Sequence, residues 1–83
     1  MIITAAQCRA ARALLDWSRD ELAAISKVAK RTVVDFERGA RVPREATLTV
    51  IRQAFESAGV EFIPENGGGA GVRFKLRGPR SNA

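Results

Sequence analysis

The stretch that decides the fold runs from Ser18 to Pro43 and reads SRDELAAISKVAKRTVVDFERGARVP. Ser18 followed by Glu21 is a capping-box pattern, in which the hydroxyl and the carboxylate reciprocally satisfy orphan backbone N–H groups at a helix start. A helix is therefore predicted from Arg19, carrying Leu22, Ala23 and Ile25 inward and ending near Ser26 or Lys27. After a short break, Val33 and Phe36, with Val34 beside them, mark another short helix from about Lys30 to Arg38, and Gly39 is its natural stop. Gly39 to Pro43 is loop. Pro43 suits the entrance to a following helix, where a missing N–H costs nothing.

On the N-terminal side, Thr4 and Gln7 form the same capping pattern, and a first helix is predicted from there to about Leu15. Cys8, Ala11 and Leu15, with Leu14 flanking, make its apolar stripe, while Arg9 and Arg12 lie outside or at the edge of it. On the C-terminal side, Leu48, Ile51, Phe55 and Ala58 mark the buried stripe of a fourth helix, which Gly59 stops. The period then changes to two. Val60, Phe62, Val72, Phe74 and Leu76 alternate with polar positions on two strands joined by the loose, Gly-rich tip Asn66 to Gly71. Glu61 and Glu65 on one strand face Arg73, Lys75 and Arg77 on the other, so charge pairing across the exposed face favours this hairpin. A two-stranded hairpin is marginal alone. Its apolar face must cover the chain's own core or join the sheet of a second copy, and the sequence reading leans to the second.

The chain has 83 residues, 46% hydrophobic and 28% charged, which suits one small domain. A chain of this size buries only about 60% of the surface its unfolded form exposes, which makes dimerisation a live expectation. Lys and Arg number 14 against 9 Asp and Glu, a net charge of +5, and arginine dominates the cations. Arginine is the side chain suited to forked recognition of phosphate and guanine, so an anionic partner is favoured. With no histidine and one cysteine, a Ser-His-Asp triad, a His-rich metal site, a zinc finger and an internal disulfide are excluded. An enzyme, a cofactor and a small-molecule substrate are accordingly not expected. Residues 1–4 carry no basic segment followed by an apolar run, no window suits a membrane span, and a lone free cysteine fits a reducing compartment, so a cytoplasmic location is expected.

Two short helices separated by a few residues, the second basic at its start, are what a helix-turn-helix needs. The first braces the DNA backbone while the N-terminal end of the second enters the major groove. Ala23 is small where the helices would cross closely, and Lys30 and Arg31 occupy the first turn, where side chains of an inserted helix reach base edges. Across roughly residues 5–58 the chain resembles the phage-repressor and Cro-like helix-turn-helix regulators, the XRE family. The resemblance rests on Arg12, Ser18-Arg19-Asp20-Glu21-Leu22-Ala23, Arg31-Thr32-Val33, Phe36-Glu37-Arg38-Gly39 and Pro43 in that order, followed by a Leu/Ile helix. It implies a mainly α fold, a four- to five-helix repressor-like helix-turn-helix bundle with the β-hairpin appended. It implies an ion pair between Arg12 and Glu37, an approach of Arg19 to phosphate or base, and a reading surface of Lys30, Arg31, Val34 and Asp35.

Two departures from the family pattern stand out. Lys27 occupies the turn position that needs a left-handed backbone and is usually glycine, at a cost of about 1 kcal/mol. Ala29 replaces the usual hydroxyl cap of the recognition helix, losing about 1 kcal/mol more.

The expected division is a DNA-binding unit over residues 1–59, a hairpin extension over 60–77 and a tail over 78–83. Expected backbone contacts are Arg19, Lys27, Thr32, Arg38, Arg41 and Arg44, because residues 27–44 concentrate the cations around the recognition helix. Asp35 could accept from a cytosine amine, but an intrahelical pair with Arg31 or Arg38 fits it better. Trp17 reads as a lid on the corner between the first two helices and Cys8 as a small core residue. The glycine run at residues 67–69 lacks the Lys-Ser/Thr and the helix of a phosphate loop. The expected function is a dimeric, sequence-specific regulator of transcription that binds double-stranded DNA, in the role of repressor. The alternative is an antitoxin-like or scaffold module whose hairpin binds a partner protein.

Overall fold

In the computed structural model, which describes residues 1–75, the order is α1 (Ala5–Leu15), α2 (Arg19–Ser26), α3 (Lys30–Glu37), α4 (Glu45–Ser57), β1 (Val60–Ile63) and β2 (Gly71–Phe74). Both capping boxes form. The Gln7 N–H donates to Thr4 Oγ1 while the Thr4 N–H donates to Gln7 Oε1, each at 3.0 Å. Ser18 and Glu21 repeat the exchange at 2.8 and 3.0 Å. Left-handed residues end the first two helices, Asp16 with φ 58° and Lys27 with φ 62°, and Gly39 and Gly59 at φ 76° and 98° follow the other two.

The core draws on all four helices and β1. Cys8 and Ala11 of α1, Leu22 of α2, Val33 and Phe36 of α3, Leu48, Ile51 and Phe55 of α4, and Val60 and Phe62 of β1 form one cluster that Ile3 joins from the N-terminal segment. Phe55 is its hub. Trp17 stacks on it at 5.6 Å between ring centroids, and Phe62 meets it edge-on at 5.9 Å, so the corner between α1 and α2 is tied to the hairpin through one ring.

The strands pair antiparallel in the register Val60↔Phe74, Glu61↔Arg73, Phe62↔Val72 and Ile63↔Gly71. Arg73 Nε donates to Glu61 Oε1 at 3.2 Å, the cross-strand charge pair expected from the alternation. Buried Gln7 then does a second job that no local pattern announces: its Nε2 donates to the carbonyls of Ile63 and Gly71 at 3.1 and 3.0 Å. One side chain thus caps α1 and ties both strands to it. Among the described residues, Val60 and Phe62 turn the hairpin's apolar face onto the chain's own core, with Val72 packed against it.

Four details differ from the sequence expectations. Ile25 is 50% exposed, because the inward line of α2 runs through Leu22 and Ser26, whose hydroxyl donates to the Leu22 carbonyl at 2.7 Å and accepts from the Val28 N–H at 3.3 Å. Phe74 is 47% exposed although its cross-strand partner Val60 is buried, since β1 lies against α4 while β2 packs on α1. Leu14 lies at the exposed edge of α1, outside the core cluster. Ala58 is the exposed C-cap residue of α4 rather than part of its buried stripe of Leu48, Ile51 and Phe55. Leu76, Arg77, Arg80 and the tail lie outside the described residues. No helix among the described residues is long and apolar enough to cross a membrane.

Candidate nucleic-acid interface

Where α2 hands over to α3 the chain turns through one left-handed residue and is braced by one hydroxyl. Lys27 takes the left-handed conformation with its N–H on the Ala23 carbonyl at 2.9 Å, a conformation that costs a residue bearing Cβ on the order of 1 kcal/mol. Ala29 provides no side-chain cap to α3. Ser26 compensates in part, since its hydroxyl receives the Val28 N–H in the middle of the turn. Lys27→Gly should therefore raise the stability of the free protein by up to about 1 kcal/mol, seen as a rise of about 4–8 °C in the melting midpoint.

The C-terminal end of α3 is fixed from α1. Arg12 forks onto Glu37, Nε to Oε2 and one terminal nitrogen to Oε1, both at 2.7 Å, and its other terminal nitrogen donates to the Trp17 carbonyl at 3.0 Å. Cys8 Sγ donates to Glu37 Oε2 at 3.1 Å, and Arg9 donates to the Glu37 carbonyl at 2.6 Å. The Glu37 side chain is only 2% exposed. Its burial works to raise the carboxyl pKa, but the hydrogen bonds from Arg12 and Cys8 and the nearby guanidinium charges outweigh it, holding the carboxyl below its ordinary value of 4.5. The same arrangement pushes the Cys8 thiol far up, through burial first and the Glu37 carboxylate second, so this thiol is inert at neutral pH.

The N-terminal end of α3 is open. Arg31 is 88% exposed at the side chain, with Nε 3.5 Å from Asp35 Oδ2, and Arg38 approaches the other oxygen of Asp35 at 3.5 Å. Asp35 thus sits between two arginines, in the intrahelical pairs its spacing suggested. Val34 is half-buried beside it. Lys30 is placed otherwise: its Nζ lies 2.8 Å from Asp20 Oδ1 on α2. That contact crosses between helices, where no local pattern of residues announces it.

Lys27, Thr32 and Arg44 line one groove with Ala29 and Thr47, between the α2–α3 turn and the start of α4. Arg38 and Arg41 stand exposed around the loop after α3, which folds back so that the Ala40 and Arg41 N–H groups both donate to the Asp35 carbonyl, at 2.9 and 3.3 Å. Arg19 is exposed at the start of α2, and its charge reaches Glu37. The ten residues expected to meet DNA therefore lie on α2, α3 and the segments that flank α3.

A family model described as Helix-turn-helix matches residues 9–62, well over half of the chain. The chain belongs to the XRE-like helix-turn-helix family. This is a family of DNA-binding regulators of transcription, generally without enzymatic activity. No curated protein matches the chain. In this helix-turn-helix protein the matched span begins within α1, takes in the whole of α2, α3 and α4 and reaches into β1, so the hairpin's second strand lies beyond it.

Proposed function

We propose that this protein is a sequence-specific regulator that binds double-stranded DNA, inserting α3 into the major groove and acting as a repressor by occupying an operator. Lys30, Arg31, Val34 and Asp35 read bases; Arg19, Lys27, Thr32, Arg38, Arg41 and Arg44 hold the phosphate backbone. The unit over residues 1–59 carries the binding, and the hairpin that follows braces it. The observation that carries the reading is the first turn of α3, which exposes two adjacent cations, Lys30 and Arg31, at a helix end whose dipole disfavours positive charge. A surface evolved only for solvation gains nothing from placing them there. The protein works in the cytoplasm as a homodimer, a state favoured by its small size and by half-exposed Phe74 at the hairpin margin.

The test is binding of the purified protein to duplexes from its own upstream region across a salt series. Specific shifts at moderate salt are expected, with a steep salt dependence. Arg41→Ala should lessen the slope of log K against log salt by about 0.9, because one phosphate contact is lost. An unchanged slope removes Arg41 from the footprint, and a protein that binds no duplex sinks the whole reading. Exposed Phe74 also favours a second reading, an antitoxin-like or scaffold module that docks a partner protein through the hairpin. That reading gains if DNA is bound only by a complex with a co-expressed neighbour.

A further inference from the structure

From the contact between Asp20 and Lys30 we infer that Asp20 sets the specificity of this protein, by occupying the charge of Lys30 whenever the DNA does not present the right base. The inference rests on the DNA-binding reading above. Lys30 is the first residue of α3 and a base-reading candidate, yet in the free protein its Nζ lies 2.8 Å from Asp20 Oδ1, on a different helix. Both side chains are mainly exposed, at 57% and 71%, so the pair is not a packing device. An exposed pair of this kind adds little to stability, and its consequence lies in what the lysine can do next.

Non-specific affinity comes from cations that neutralise phosphates and release counterions. A lysine whose charge is already met by a carboxylate contributes less to that attraction. Base reading is affected differently, because an ammonium carries three protons. One can stay on Asp20 while the others point at the acceptor edge of a base, and the carboxylate then orients the lysine. Asp20 therefore lowers the sequence-independent part of binding more than the sequence-dependent part, and specificity is the difference between them. Asp35 plays no equivalent part for Lys30, since its contacts go to Arg31 and Arg38. The net charge of +5 gives the device its purpose, because a protein so cationic would otherwise hold any duplex.

The experiment compares wild type, Asp20→Asn, Asp20→Glu and Glu65→Gln on two probes: the tightest duplex that wild type selects from a randomised pool, and a scrambled duplex of the same composition. Asp20→Asn should bind the scrambled duplex about five- to tenfold more tightly near physiological salt and steepen its salt slope by about 0.9, as one more cation joins the footprint. Affinity for the selected duplex should change less, so the ratio between the probes falls. Asp20→Glu, which can still reach Lys30, should behave as wild type. Glu65→Gln removes an equal charge from an exposed position after β1 and should leave the slope alone. In a Lys30→Ala background the effect of Asp20→Asn should vanish, whereas loss of helix-dipole support in α2 would persist there. An unchanged probe ratio, or an equal effect with and without Lys30, overturns the inference while leaving the DNA-binding reading intact. Wild type that binds neither probe overturns both.

Discussion

Arg12→Ala is expected to cost about 3–5 kcal/mol, because it removes one partner of a buried ion pair and strands the other. Glu37 would keep only the Cys8 thiol and would remain in a site where its side chain is 2% exposed. The Trp17 carbonyl would lose its donor as well, loosening the corner whose ring stacks on Phe55. For a chain of 83 residues each kcal/mol moves the melting midpoint by about 4–8 °C, so a fall of roughly 12 °C or more should appear in a thermal melt followed by circular dichroism. A drop of a few degrees would mean that Glu37 finds water or another donor. The pair also writes a signature in acid. Because the folded carboxyl is held below 4.5, its contribution is complete above that pH and is lost as pH falls through the lowered folded value. Wild-type stability should decline over that window, and Arg12→Ala should lose most of this dependence.

Joint replacement of Lys30 and Arg31 by Ala is expected to cost about 2–6 kcal/mol of specific DNA binding, since each well-made base contact carries about 1–3 kcal/mol of discrimination. Binding to unrelated sequence should weaken far less. The substitution is clean because both side chains are mainly exposed and neither caps the helix. Removing two cations from the positive end of the α3 dipole should leave the melting midpoint unchanged or slightly raised. Equal losses on selected and scrambled duplexes would turn both residues into backbone contacts and end their role as readers.

Much of this architecture was legible because it is written in short-range chemistry. Thr4 with Gln7 and Ser18 with Glu21 are complete capping devices within four residues, and glycine closes α3 and α4 with backbone angles that other residues rarely adopt. The left-handed turn at Lys27 could be placed only through the resemblance to the family, since the residue itself argues against that conformation. The order of motifs led to the family, and with it to the pairing of Arg12 with Glu37. Ile25 and Phe74 were misassigned for one reason: apolar spacing says which residues share a side, but not whether another element arrives to cover it.

Propensity, capping and charge act within a few residues of the chain, so the elements, their ends and the concentration of cations around α3 can be read locally. What those groups do to one another was left to tertiary packing. It turned Gln7 from a cap into the bond between α1 and both strands, 56 and 64 residues away. It set Asp20 against Lys30 and laid Val60 and Phe62 on the chain's own core. Contacts over such separations follow from how helices cross and strands pack, and no local pattern of residues encodes that.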